Sequence, residues 1–594
     1  MPTAILTGQP VPGSSIEGDL RSLGFDVRTA ADTTEAETLL AAVPGDQRVA
    51  VVDARFVGHP HALRLGLTDP RFPLAAVPGA VTAQPAGRQA LTRAVAREHS
   101  AGGGTTLLDN LADRVVTALD ADGCAVHRPE LGSLVATVPT DPQTRNEARQ
   151  AVAAVDDEAV RLKSAVKSRD GFFTTHFISP YSRYIARWCA RRGLTPNQVT
   201  TASLLTAIIA AGCAATGTRV GFVAAGVLLL FSFVLDCVDG QIARYALQYS
   251  TLGAWLDATF DRAKEYAYYA GLALGAARGG DDVWALALGA MILQTCRHVV
   301  DFSFNEANHD ATANTSPTAA LSDKLDSVGW TVWVRRMIVL PIGERWAMIA
   351  VLTAVTTPRI TFYVLLVGCA FAATYTTAGR VLRSLTRKAT RTDRAARALA
   401  DLADNGPIAS FVARLSPARL GAPFLIALAG TAVLVATLFS GAAWAPVAGA
   451  FVYAIAAGQA LSHPLKGSLD WLVPPLFRAA EYCTVLILAA EAEVNGALPA
   501  AFGLVAAVAY HHYDTVYRIR GNAGASPAWL VRAIGGHEGR TLLVTVLAAA
   551  LTASQFPVAL TALAVAVALL VLVESIRFWV SAGAPAVHDE GEPA

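Results

Sequence analysis

Of 594 residues, 53% are hydrophobic and only 16% charged, with a mean hydropathy of +0.41, which excludes an ordinary soluble enzyme and a largely disordered chain. The 48 Lys and Arg nearly cancel the 47 Asp and Glu, leaving +1, so no global field recruits nucleic acid or strongly acidic partners. Seven scattered cysteines, without CxxC pairs or zinc-ligand spacing, read as small core residues.

The opening residues lack the basic start and long apolar run of a secretory signal, so the N-terminus is expected on the cytoplasmic side. Residues 1–100 alternate short apolar runs (3–6, 49–52) with helix-like stretches (15–23, 34–42), predicting a soluble α/β domain. No glycine-rich phosphate turn follows its first run, so nucleotide transfer is not expected there. A helical linker region over 101–177 opens with Ala101-Gly-Gly-Gly-Thr-Thr. From 178 to 192, Arg183, Arg187, Arg191 and Arg192 alternate with Tyr181, Tyr184 and Trp188, the pattern of an amphipathic helix lying on anionic lipid.

Apolar segments then recur at 198–217, 220–237, 254–274, 283–300, 345–357 and 360–381, with a polar stretch over 305–326 outside the lipid. A basic cytoplasmic linker over 386–419 precedes a second set at 420–440, 445–461, 471–490, 497–513, 541–555 and 557–576. The fold class expected is a mainly α-helical polytopic membrane protein with about twelve transmembrane helices. Its membrane domains are 178–385 and 420–594, the second of unknown role. Predicted outer turns hold little beyond Arg219, Arg278 and Arg359, whereas the basic runs 383–397 and 518–540 fall inside, so both termini are expected in the cytoplasm. Two blocks of similar size suggest duplication, yet no repeated motif is visible between them.

The chemistry concentrates where the second apolar segment meets the third: Leu235-Asp-Cys-Val-Asp-Gly-Gln-Ile-Ala-Arg, then Leu252-Gly-Ala-Trp-Leu-Asp-Ala-Thr-Phe-Asp. Asp236 and Asp239 are three apart, and Asp257 and Asp261 four apart, so each pair shares a helix face and the two faces can converge. Carboxylates gathered at the edge of hydrocarbon repel unless a cation neutralises them. All-oxygen ligands favour Mg²⁺ or Mn²⁺, and Mg²⁺ commonly binds a few carboxylates together with substrate phosphates, which points to a pyrophosphate substrate. Gly240, Ala243 and Gly253 leave room for a nucleotide against the backbone, and Arg244 can hold a phosphate or carboxylate. Buried ion pairs or a proton relay are the alternative.

Asp236-x2-Asp239-Gly240-x2-Ala243-Arg244-x8-Gly253-x3-Asp257-x3-Asp261 resembles the complete signature of the CDP-alcohol phosphotransferase family, over roughly residues 170–385. Thr195-Pro-Asn-Gln-Val-Thr200 is similar to the element these enzymes carry before their first span, and the layout from Asp170-Gly resembles members that join two inositol phosphates. The resemblance implies a six-helix bundle with a cytoplasmic active site and homodimers, the common family habit. It implies that Asp236, Asp239, Asp257 and Asp261 bind two Mg²⁺ or Mn²⁺ ions and that Asp261 is also the general base. A CDP-linked alcohol, CDP-diacylglycerol or a CDP-polyol, would pass its substituted phosphate to an acceptor hydroxyl and release CMP.

If the acceptor is itself phosphorylated, Arg262, Lys264 and Arg297 are the expected cations, while Arg335, Arg336 and Arg345 read as membrane-surface anchors. In the second block, Arg478 with Glu481 and His511 with His512 read as packing or dimerisation elements, with lipid binding as the alternative. A transporter or a catalytically idle membrane scaffold are the competing functional classes.

Overall fold

The computed structural model describes residues 1–101, 110–167, 170–311, 333, 337–386, 389–416 and 422–581. The N-terminal sheet has the strand order β2-β1-β3-β6-β5. Here β1 is Thr3–Thr7, β2 Asp26–Ala30, β3 Val49–Asp53, β5 Leu74–Val77 and β6 Ala80–Ala83; a separate short pair joins β4 (Val57–Gly58) to β7 (Ala136–Thr137). β1 runs parallel to β2 and β3, and both β1 and β3 are buried along their whole length, as central strands covered on two faces must be. Helices α1 (Ile16–Ser22), α2 (Thr33–Ala42), α3 (Pro60–Leu67) and α4 (Arg88–Ala101) accompany the sheet, α2 starting where Asp32 accepts a bond from the Glu35 amide at 2.8 Å.

This unit extends past the boundary expected at residue 100. Helix α5 (Leu111–Ala121) buries Leu111, Val115 and Leu119 in the same core, and β7 pairs back onto β4. Helices α6 (Pro142–Ala153) and α7 (Asp157–Ser164) follow, then α8 (Ser179–Arg191), which leaves Tyr181, Tyr184 and Trp188 exposed and carries Arg192 over the Trp188 ring at 4.2 Å. The aromatic and basic residues of α8 thus share a surface face.

Each of the twelve apolar segments coincides with a helix. The first six are α9 (Pro196–Ala215), α10 (Arg219–Ala246), α11 (Thr251–Arg278), α12 (Trp284–Asn308), α13 (Ile342–Val355) and α14 (Pro358–Thr386). Then come α15 (Asp393–Ala403), α16 (Pro407–Leu415), α17 (Pro423–Leu438), α18 (Ala445–Ala460), α19 (Val473–Glu491), α20 (Ala497–Arg520), the short α21 (Ala528–Ala533), α22 (Gly536–Ala550) and α23 (Phe556–Ser581). Among the described residues five helical segments are long and apolar enough to cross a membrane: Pro196–Ala215, Arg219–Ala246, Pro358–Thr386, Asp470–Glu491 and Phe556–Ser581. The chain is therefore a mainly helical membrane protein with an N-terminal α/β region. Leu205, Ile208 and Ile209 on α9 and Val220, Val223, Val227 and Phe231 on α10 are exposed at helical spacing, the face that lipid would cover.

The stretch 386–419 is more than a linker. Within it α15 buries Ala395, Leu399 and Leu402 against the second block, and α16 packs on α18. The 305–326 stretch lies largely, and Arg335 and Arg336 wholly, outside the described residues.

Candidate active site

The hairpin that carries the four aspartates is set by local chemistry at its turn. Leu247 closes α10 in the left-handed region at φ 53°, and Ser250 opens α11 by accepting the Gly253 amide at 2.9 Å. The side chains of the last turns of α10 and the first turns of α11 thereby meet at one level, with both helices packed on α9. Asp236, Asp257 and Asp261 each offer a carboxylate oxygen, all within 4.8 Å of one another. Asp239, one turn along α10 from Asp236, is buried and its Oδ2 accepts a 2.6 Å bond from Thr200 Oγ1 on α9. Thr200 ends the Thr195-Pro-Asn-Gln-Val-Thr element, whose Thr195 and Gln198 form a reciprocal cap on α9.

Lys264, one of the cations expected to serve a phosphorylated acceptor, lies against the aspartates themselves. It is fully buried between α10 and α11, bonds Asp236, stands 2.9 Å from Asp261 Oδ1 and 3.2 Å from Ser203 Oγ. One helical turn beyond Asp261 its side chain falls on the carboxylate face, so it is an internal counter-ion and not a group facing a second substrate. Four carboxyl groups face this one ammonium, a formal excess of three negative charges when all are ionised, in a site where Asp236, Asp257 and Asp261 are half-buried. Among the described residues no hydrogen-bond donor is in line with Asp261 Oδ1. An oxygen-only donor set with excess negative charge fits a hard divalent cation.

Arg262 turns the other way, donating to Glu265 Oε2 at 3.1 Å and lying 3.1 Å from His298 Nε2. Glu265 also holds Arg345, whose Nε is 3.0 Å from Oε1 and whose Nη2 is 3.1 Å from Oε2. Arg345 is thus a buried core cation on α13 and not the membrane-surface anchor its sequence position suggests. Arg297 donates to the Val339 carbonyl and lines an apolar cavity of about 280 Å³ between α12, α14, α17 and α19, apart from the carboxylates. Its Nη1 has no hydrogen-bond partner among the described residues.

The small residues keep space where the hairpin is tightest. A Cβ on Gly240 would stand 3.4 Å from the Arg244 guanidinium, and one on Gly253 would stand 2.8 Å from Asn197 Oδ1. Ala243 is half-buried beside them, and Arg244 Nε donates to the Ala165 carbonyl at 2.6 Å, which holds the guanidinium near Gly240. The soluble region grips the same turn: Arg161 covers the Tyr245 ring at 3.6 Å, Tyr245 Oη donates to Glu158 at 2.8 Å, and Arg71 covers Tyr249 at 4.0 Å. Sequence reading missed Thr200, Ser203, Glu265 and this aromatic grip. Only the placement of Thr200 in the element ahead of α9 carried a signal.

Residues 193–373 match the family model described as CDP-alcohol phosphatidyltransferase, and residues 393–594 match a family of unknown function, DUF5941. A bifunctional IPC transferase and DIPP synthase of Thermococcus kodakarensis is 33% identical over 135 residues, covering 23% of this chain and 29% of the relative. Phosphatidylinositol phosphate synthases of Streptomyces avermitilis (32% over 130 residues) and Mycolicibacterium smegmatis (36% over 122) align to 21% and 20% of this chain and to 51% and 53% of their own lengths. The chain thus spans about half or less of the curated relatives it matches. Aspartates, glycines and the element ahead of α9 all fall inside the matched stretch, and residues 193–373 are a CDP-alcohol phosphatidyltransferase domain.

Proposed function

We propose that this domain transfers a substituted phosphate from a CDP-linked alcohol to an acceptor hydroxyl and releases CMP. The observation that carries the reading is the convergence of Asp236, Asp257 and Asp261 to within 4.8 Å across two helices, beside a glycine-lined turn. Asp236, Asp239, Asp257 and Asp261 would hold Mg²⁺ or Mn²⁺, which when bound supplies charge neutralisation at a pyrophosphate. Gly240, Ala243 and Gly253 leave the nucleotide room against the backbone, and Arg244 offers its fork to the phosphates. Asp261 takes the proton of the acceptor hydroxyl. The acceptor oxygen then bonds to the β-phosphorus as the bond to the CMP oxygen breaks, giving a phosphodiester and CMP.

Similarity to proteins named phosphatidylinositol phosphate synthase supports an inositol phosphate acceptor in this reading, and the donor is CDP-diacylglycerol or a CDP-polyol. Arg262 follows Asp261 in sequence, but its guanidinium is held by Glu265 and His298, so a phosphorylated acceptor would reach it only by drawing it from that pair. All twelve apolar helices span the membrane in this reading, with both termini and the carboxylates on the cytoplasmic side. The test is CMP release by the purified protein from a panel of CDP-alcohols and acceptors with Mg²⁺. Turnover that survives chelation, or that is unchanged in Asp261→Asn, would overturn the reading.

A further inference from the structure

We infer that residues 393–581, matched only to a family of unknown function, form a second bundle of the same design as the first, stripped of its carboxylates and seated where a second copy of the chain would pack.

The helix pairings repeat in order. In the first bundle α9 lies against α10 and α11, α10 against α13, and α12 against α14, with the surface helix α8 on α10. In the second, α17 lies against α18 and α19, α18 against α22, and α20 against α23, with α16 on α18. Aligning the bundles helix by helix exposes a repeat that a linear reading passes over. Phe233-Val234 and Gly240-Gln241 on α10 correspond to Phe451-Val452 and Gly458-Gln459 on α18, and Arg262-Ala263-x-Glu265-Tyr266 on α11 to Arg478-Ala479-x-Glu481-Tyr482 on α19. His298 corresponds to His512, and Arg345 with Val351-Leu352 to Arg540 with Val546-Leu547.

The correspondence extends to atoms. Arg478 Nη1 donates to Glu481 Oε2 at 3.0 Å, as Arg262 Nη1 does to Glu265 Oε2 at 3.1 Å. Arg540 reaches Glu481 through Nε to Oε1 at 2.5 Å and Nη2 to Oε2 at 3.3 Å, the pairing Arg345 makes with Glu265. One residue before Arg345, Glu344 accepts the Phe173 amide beside Gly171; two before Arg540, Glu538 accepts the Gly406 and Ala409 amides. Two unrelated bundles would not share a triad with the same atom-to-atom bonds on the same two helices.

At the four positions of the aspartates the second bundle carries Ala454, Ala457, Val473 and Phe477. Phe477 stacks on His537 at 4.3 Å, and Tyr453 lies 2.7 Å from His537 Nδ1, so buried rings close the space the carboxylates occupy in the first bundle. Carboxylates without a cation are costly to bury, and apolar side chains remove that cost once no metal is held. The Arg–Glu–Arg triad stays because removing one partner would strand a buried charge.

The two bundles meet through like elements. The third and fourth helices of one, α11 and α12, pack on the fourth and third of the other, α20 and α19, and α12 also packs on α20. This is the arrangement of a two-fold homodimer interface, here between halves of one chain. Tyr513 of α20 lies 5.3 Å from the Arg262 guanidinium and Trp579 of α23 stacks on Trp255 at 5.9 Å, so the second bundle braces the helix that carries Asp257 and Asp261. The chain then needs no second copy, contrary to the homodimer expected from the resemblance.

Two measurements on the full chain test this. In lipid nanodiscs, native mass spectrometry should find one 62.1 kDa chain per particle, because the interface is already filled; two chains per particle would overturn the inference. Equilibrium dialysis with labelled CMP and Mn²⁺ should give one nucleotide per chain, abolished by Asp257→Asn, and two per chain would overturn the silence of the second bundle. Absence of all nucleotide binding would count against the proposed reaction instead, while the mass measurement still decides the built-in partner.

Discussion

The two membrane bundles share a frame and differ in what fills it. Both hold a buried glutamate between an arginine of its own helix and one from another helix, and both pin an amide turn with a second glutamate. Only the first adds four aspartates above that frame. The difference separates two uses of buried charge. Paired ions hold helices in register, while unpaired carboxylates in excess are tolerated where a cation and a substrate will join them.

The largest effect that tests this contrast is chemical. Asp261→Asn should lower CMP release about 10²–10⁴-fold, the usual worth of a positioned general base. Any measurable turnover traced to the second bundle would break the comparison. Next come the matched triads: Glu265→Gln should cost about 3–5 kcal/mol by stranding the Arg262 and Arg345 guanidiniums, and Glu481→Gln less, because Asp404 also pairs with Arg478 at 3.0 Å and Arg540 at 2.8 Å. The temperature of thermal inactivation in detergent should fall in both, further in the first, with turnover per folded molecule reduced only in the first. Equal loss of turnover in both would show that the second bundle acts in catalysis.

A smaller effect belongs to the soluble region. His61 on α3 is buried, with both ring nitrogens unpartnered, and burial together with Arg161, Arg64 and His59 lowers its pKa to about 4. The folded value lies below the unfolded one near 6.5, so the unfolded chain binds the extra proton first. The stability of this region should be full above pH 6.5 and fall as pH drops towards 4, by up to about 3 kcal/mol at 1.36 kcal/mol per unit. Hydrogen exchange of β1 and β3 across that range checks it, and His61→Phe should flatten the dependence. Smallest is Tyr249→Leu, which removes the ring beneath Arg71 while leaving its pair with Asp69 and should loosen the α10–α11 turn by about 0.5–1 kcal/mol. A shift in nucleotide affinity with unchanged melting would show that the soluble region tunes the site.

Much of this was legible in the linear chain because it is local. Apolar runs marked all twelve helices, and the i+3 and i+4 spacing of the aspartates placed each pair on one face before any fold was known. The Thr195 cap and the Gly253 turn are likewise short-range. What stayed hidden depends on which way a side chain turns in the packed bundle. Lys264 and Arg262 are two residues apart, yet one lies under the carboxylates and the other faces His298. Arg345 finds Glu265 across 80 positions of sequence. The boundaries at 100 and over 386–419 misled because amphipathic helices that complete a core look like linkers until their partner surface is known.

The amino-acid order by itself determined the helices, the acidic hairpin and the resemblance that goes with it, since those rest on contacts within a few residues. Tertiary structure alone decided which charges neutralise one another and that the C-terminal half repeats the first. Those facts rest on side chains brought together from distant helices, where a shared pattern of bonds persists although few letters in a row agree.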